Sequence, residues 1–187
     1  MPPKAKITKE EILSKAVALV REEGVGALTA KSLAAKLGCS TQPIFWHYSG
    51  MDEIRSQVCE QALRLFDRFI RSGGENVSPY KAIGLNYIRF AEEEKELFKL
   101  LFMSENERGN ILSEHAEMPY ILNVLKETEN IGGDAARAVY EEMWLFSHGI
   151  ATMIATGTAR FSREKIDKML SDVYRGLVKN LGSEHIL

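Results

Sequence analysis

The chain has 187 residues, 45% of them hydrophobic and 27% charged, an ordinary globular composition that excludes an intrinsically disordered chain. Its 24 basic and 26 acidic side chains leave a net charge of −2, and no apolar stretch approaches the roughly 18 residues that would suggest a membrane span. Charge is unevenly placed: residues 1–51 carry seven Lys or Arg against four Glu, a net of +3, and the remainder carries −5. A basic N-terminal segment on an acidic body suits a protein that brings one end to a polyanion. Lys4 and Lys6 are followed by Glu10 and Glu11 where a signal peptide needs its apolar stretch, so a cytoplasmic protein is expected. Cys39 and Cys59 have no CxxC partner, and His47, His115, His148 and His185 are scattered, so neither a disulfide framework nor a metal or other cofactor is expected.

In chain order every element reads as helix, and an all-α fold is predicted. Thr8 with Glu11 forms a capping box, and Ile12, Leu13, Ala16, Val17 and Val20 make an apolar stripe until Gly24, which predicts a helix over 9–23. Thr29 caps a short second helix that Gly38 stops, and Ser40 caps a third reaching Tyr48. A long helix follows from Asp52 to about Arg71, with Ile54, Val58, Ala62, Leu65 or Phe66, and Phe69 on its apolar face, ended by Ser72-Gly73-Gly74. Tyr80, Ile83, Tyr87 and Phe90 define another, broken in the charged stretch 92–96 before the apolar segment 97–103. Residues 104–117 read as loop, and a helix over 118–129 precedes Gly132-Gly133. The last two helices are predicted over 134–157, apolar on both sides, and over 162–181, closed by Gly182.

Ala34, Gly38 and Ile44 stand at the spacing A-x3-G-x5-I. A small Ala lets two helices approach, Gly permits a left-handed turn, and Ile plugs the angle between them, which is the geometry of a helix-turn-helix. On a helical wheel Thr41, Ile44, Phe45 and Tyr48 fall on one side, and Gln42 and Trp46 point to the other with Pro43 and His47 beside them. Gln42, Trp46 and Thr41 are therefore the candidates for the DNA major groove, with Ser40 and His47 on phosphates.

From Gly24 to Thr29, through Lys31-Ser32-Leu33-Ala34-Ala35-Lys36-Leu37-Gly38-Cys39-Ser40, to Ile44-Phe45-Trp46-His47-Tyr48, the sequence resembles the N-terminal pattern of the TetR family of transcriptional regulators. The likeness covers about residues 8–54. It implies a helix-turn-helix domain over 1–51 and a ligand-binding and dimerisation domain over 52–187. It also implies that Thr29, Lys31, Pro43, Phe45 and Tyr48 complete the DNA-binding set. Two positions depart from the pattern: Phe45 stands where the family has a phosphate-binding Tyr, and Met51 where it has a Lys. Each missing phosphate contact lowers non-specific affinity.

Family members of this type are dimers built on their last two helices, with an inducer pocket among the middle ones. The resemblance thus implies a homodimer on palindromic operator DNA, repressing until a small, mostly apolar molecule enters. The aromatic density after residue 60 supplies the expected pocket: Phe66, Phe69, Tyr87, Phe90, Phe98, Phe102, Tyr120 and Trp144, with Asn86 and His148 as polar orienters. For the dimer interface the apolar stripes give Val139, Met143, Phe146 and Ile150 on one helix, and Ile166, Leu170, Val173, Tyr174 and Leu177 on the other. No G-x-S-x-G, HExxH, P-loop or GxGxxG is present, so no enzyme activity is expected. The alternative reading is a constitutive DNA-binding or partner-binding module without an inducer.

Overall fold

Eight α-helices account for most of residues 7–104 and 117–183, the parts of the chain that the computed structural model describes. Lys4, Lys6, His115, His185, the side chain of Leu181 and most of the loop expected over 104–117 lie outside the described residues. Two compact units are formed, each with its own core. The first comprises the described residues up to Leu65 together with Glu94–Ser104, and the second comprises Phe66–Glu93 and the described residues from Glu117 onward. Ile54, Val58, Cys59 and Ala62 are buried in the first unit.

In the first unit, α1 (Lys9–Glu23) starts at the expected capping box: the Thr8 hydroxyl accepts from the Glu11 amide at 3.2 Å, and Glu11 Oε2 accepts from the Thr8 amide at 2.9 Å. Ile12, Ala16, Leu19 and Val20 turn inward, and α1 packs on α2 (Ala30–Leu37) and α5 (Lys95–Phe102). Gly24 ends α1 at φ +83°, where a Cβ would stand 2.9 Å from the Glu96 carboxylate. A 3-10 turn over Val25–Ala27, which the spacing did not predict, leads to Thr29. Thr29 caps α2 by accepting from the Ser32 amide at 3.2 Å.

At the other end of α2, Gly38 is left-handed (φ +69°), its amide donates to Ala35 O and the Cys39 amide donates to Ala34 O, each at 3.1 Å. This paired C-terminal arrangement turns the chain sharply, as the A-x3-G spacing requires. The segment that follows departs from the prediction. Only Ile44–Trp46 is helical, as a 3-10 turn, with Ile44 N donating to Thr41 O (3.2 Å) and His47 N to Ile44 O (3.1 Å). The predicted α-helix from Ser40 to Tyr48 is replaced by this tighter turn. Ile44 is still fully buried, as Leu33 is, and Ala34 is nearly so.

α3 (Met51–Arg71) is one continuous helix whose first turns belong to the first unit and whose last turns, from Phe66, belong to the second. The second unit is built on α4 (Pro79–Glu93) packed along α7 (Gly133–Ala155), with α6 (Met118–Thr128) and α8 (Arg163–Ser183) each touching both. Phe66 and Phe90 meet edge to face at 5.2 Å, and Phe69 meets Phe90 at 5.3 Å, holding the end of α3 on α4. Among the described residues there is no strand, and no helix is long and apolar enough to cross a membrane.

Candidate nucleic-acid interface and ligand cavity

The turn after Gly38 presents Thr41, Gln42, Phe45 and Trp46 to solvent on one face, with Trp46 68% and Phe45 44% exposed. Thr29, Lys31 and Ser40 are exposed as well, and Pro43 is half-buried. The predicted wheel is therefore rotated: Thr41 and Phe45 do not pack inward, and only Ile44 and Tyr48 do. Ser40 does not cap a helix, since none begins there.

Two predicted DNA contacts are engaged elsewhere. Tyr48 is buried, and its hydroxyl lies 3.1 Å from Lys9 O and 3.3 Å from Gln57 Oε1. It belongs to the core and not to the exposed face. His47 places Nε2 2.9 Å from the Ile7 carbonyl oxygen, tying the turn to the residue before the α1 cap.

Residues 12–58 match the family model for bacterial regulatory proteins of the tetR family. That segment is a TetR-type N-terminal domain. A solved structure described as a protein with unknown function from Rhodococcus sp. RHA1 matches with a TM-score of 0.71 at 20% identity, over 96% of this chain and 98% of that one. This likeness shows the shared fold over the full length. No curated protein matches the chain. The exposed face described above is thus the outer surface of a TetR-type helix-turn-helix, a DNA-binding domain of a transcriptional regulator.

The second unit holds a cavity of about 300 Å3. Of the ten predicted ligand residues, Phe66, Tyr87 and Trp144 line it. The other wall residues include Ile70, Tyr80, Ile83, Ile121, Tyr140, Met143 and Leu170, contributed by α3, α4, α6, α7 and α8. His148 stands one layer behind: its Nδ1 is 2.9 Å from the Tyr87 hydroxyl and its ring stacks on Trp144 with centroids 4.7 Å apart and planes 7° apart. Burial lowers the His148 pKa and so favours the neutral ring, and Nε2 lies 3.4 Å from Thr152 Oγ1.

Six predicted pocket residues lie elsewhere. Phe98 and Phe102 meet at a tilt, ring centroids 5.1 Å apart, in the core of the first unit. Phe90 is fully buried against Phe66 and Phe69, and Phe69 carries Arg89 over its ring at 4.8 Å. Asn86 donates to Gly73 O at 2.8 Å, closing the turn after α3. Tyr120 lies under the Arg71 guanidinium at 4.2 Å.

Arg71 also pairs with Asp67 and, at 2.9 Å, with Glu117. Glu117 is buried, which pushes its carboxyl up to about 7, with neighbouring Asp67 adding to the shift and Arg71 opposing it. A carboxyl whose pKa is higher folded than unfolded binds its proton more tightly in the folded state. Its contribution to stability is complete below about pH 4.5 and is lost as pH rises through about 7. Glu117→Gln should therefore raise the melting temperature at pH 8 and leave it nearly unchanged at pH 5. Melting curves of parent and variant at both values check this, and an equal shift at both would reject it.

The predicted dimer residues are also divided. Val139, Met143, Ile150, Ile166 and Leu170 are buried within the protomer, as α7 and α8 use those faces to pack on α4 and on each other. Tyr174 lines the cavity and bonds Glu129 at 3.1 Å. Phe146, Val173 and Leu177 are half-buried. The exposed apolar positions of α7 are Leu145 and Met153, eight residues apart on one helix face with Gly149 between them.

Proposed function

We propose that the protein is a ligand-responsive repressor that holds palindromic operator DNA as a homodimer and releases it when a small, mostly apolar molecule enters the cavity of the second unit. The DNA-binding set is the exposed face Thr41, Gln42, Phe45 and Trp46, flanked by Thr29, Lys31 and Ser40. Gln42 has the donor and acceptor to read an adenine edge, and Phe45 and Trp46 offer apolar contact to thymine methyl groups and sugars. The observation that carries ligand control is the cavity itself. Its walls are mainly aromatic and aliphatic with a few polar heads, the usual construction of a small-molecule site, and its volume falls at the lower end of their range of about 300–1,000 Å3.

Coupling runs along α3. The helix begins directly after the DNA-facing turn, at Met51, and ends with Phe66 and Ile70 in the cavity wall. A ligand that displaces those two side chains shifts the balance between two states of the helix, and the expected coupling is about 1–3 kcal/mol. Operator DNA must weaken ligand binding by the same factor.

Selection from random duplexes should return an inverted repeat with half-sites about one helical turn, or a multiple of it, apart. Release of that duplex by the low-molecular-weight fraction of a host-cell extract tests ligand control. A Cβ on Gly84, inside the cavity wall, would meet Leu170 at 3.5 Å and Ser147 Oγ at 3.7 Å, both ordinary contacts. Gly84→Ala should therefore stabilise α4 by about 0.5–1 kcal/mol, a few degrees in melting temperature, with DNA binding intact. Gly84→Met, long enough to occupy the cavity, should bind DNA and ignore the extract. A parent protein that keeps its full affinity in the extract favours the constitutive module instead.

A further inference from the structure

Two buried side-chain polar atoms, the Tyr140 hydroxyl and Trp144 Nε1, have no hydrogen-bond partner among the described residues. Both residues line the cavity, and they stand four apart on α7, one above the other on the same helix face. A buried polar group without a partner costs about 1–3 kcal/mol, so two side by side in one cavity wall require an explanation.

The indole N–H can only donate. Burial, with Glu141 and Glu117 nearby, pushes the Tyr140 phenol up to about 12, so it too keeps its proton at any working pH. Trp144 is held by its stack on His148, and Tyr87 meets it edge-on at 6.4 Å. The cavity wall thus stores two donors on a braced platform and lacks the matching acceptor. Its cations are engaged: Lys81 pairs with Asp167 at 2.6 Å and Arg175 with Asp172 at 2.6 Å. An anionic ligand would face desolvation with no unpaired positive charge to receive it.

We infer that the ligand of this cavity is a neutral, two-ring-sized apolar molecule bearing a carbonyl-type acceptor that wedges between the Tyr140 and Trp144 rings and takes both hydrogen bonds. This assignment rests on the ligand-responsive reading above and specifies its ligand class. Filling the cavity would satisfy two buried donors at once, which gives the ligand-bound state an enthalpic advantage that a pure hydrocarbon cannot supply.

Benzophenone, diphenylmethane and diphenylacetate test the class, sharing two phenyl rings and differing at the central group. Calorimetry on the full-length parent should show benzophenone binding about tenfold or more tightly than diphenylmethane, and more tightly than diphenylacetate. Ultraviolet irradiation of the benzophenone complex should label peptides from α4, α7 or α8. Tyr140→Phe should reduce the ketone preference several-fold without lowering the melting temperature, because it deletes an unpaired hydroxyl; a merely structural Tyr140 would lose stability instead. Trp144→Phe should also reduce the preference.

Equal affinity for ketone and hydrocarbon would overturn the acceptor assignment and leave ligand control standing. Tighter binding of diphenylacetate would overturn neutrality of the ligand. Binding of none of the three, with labelling elsewhere or absent, would remove the cavity as a ligand site and the ligand-responsive reading with it.

Discussion

Leu145→Glu combined with Leu177→Glu should turn the protein into a folded monomer that no longer binds a palindromic duplex. Leu145 is 53% exposed on α7, and Met153 two turns further is 36% exposed on the same face. On α8, Val173 and Leu177 are half-buried one turn apart, with exposed Gly176 beside them. Apolar side chains placed in rows on two neighbouring helices make a surface of the sort that soluble proteins cover with a partner. In a two-fold interface each substitution occurs twice, so the double variant introduces four carboxylates into the contact. Removing apolar contact and burying unpaired charge at a cost of roughly 3–5 kcal/mol per site would weaken the dimer by a thousandfold or more. Neither side chain is part of the protomer core, so circular dichroism should remain helical. Sedimentation equilibrium decides the matter: a parent that is already monomeric at micromolar concentration, or a double variant that stays dimeric, rejects the proposed interface.

The sequence revealed elements better than it revealed surfaces. Capping chemistry is local, and so Thr8 with Glu11, Thr29, and Gly38 placed the ends of α1 and α2 to the residue. The segment after Ser40 read as a regular helix, with Pro43 tolerated in its first turn, and cap residues alone could not distinguish that helix from the 3-10 turn over Ile44–Trp46. What periodicity could not show was which apolar stripe meets which neighbour. Val139, Met143, Ile150, Ile166 and Leu170 have the spacing of an interface, yet α4 lies against them and closes them inside one protomer. Phe98 and Phe102 read as pocket aromatics because aromatic side chains are dense after residue 60, but the break at Glu94 sends α5 to the first unit. Substituting Phe69 or Phe102 should accordingly alter stability more than ligand response. The cavity wall itself drew on Ile70, Tyr80, Ile83, Tyr140, Met143 and Leu170, side chains from four helices far apart in sequence. Tyr140 sits within an ordinary apolar helix pattern, and only its missing partner in three dimensions marks it.

Gln42→Ala and Trp46→Ala should separate base reading from general affinity. Both side chains are exposed on the turn that Gly38 and Ile44 position, and neither supports the core beneath it. If Gln42 makes a bidentate contact to an adenine, its loss costs about 1–3 kcal/mol per half-site and relaxes selectivity at that base pair alone. A dimer carries the cost twice, about 2–6 kcal/mol, so affinity for the selected duplex should fall by about 30- to 20,000-fold. Trp46→Ala removes apolar contact area, and its penalty should be spread over neighbouring positions with little change in salt dependence, because the indole neutralises no phosphate. Lys31→Ala supplies the contrast: weaker binding to every sequence and a shallower dependence on salt. His47→Ala should instead lower the melting temperature, since its ring anchors the turn to the Ile7 carbonyl. Binding of each variant to the selected duplex and to its single-base substitutions, at two salt concentrations, distinguishes these roles. If Gln42→Ala keeps the parent's base preferences, the face of Thr41, Gln42, Phe45 and Trp46 does not read sequence, and specificity must come from the shape of the DNA.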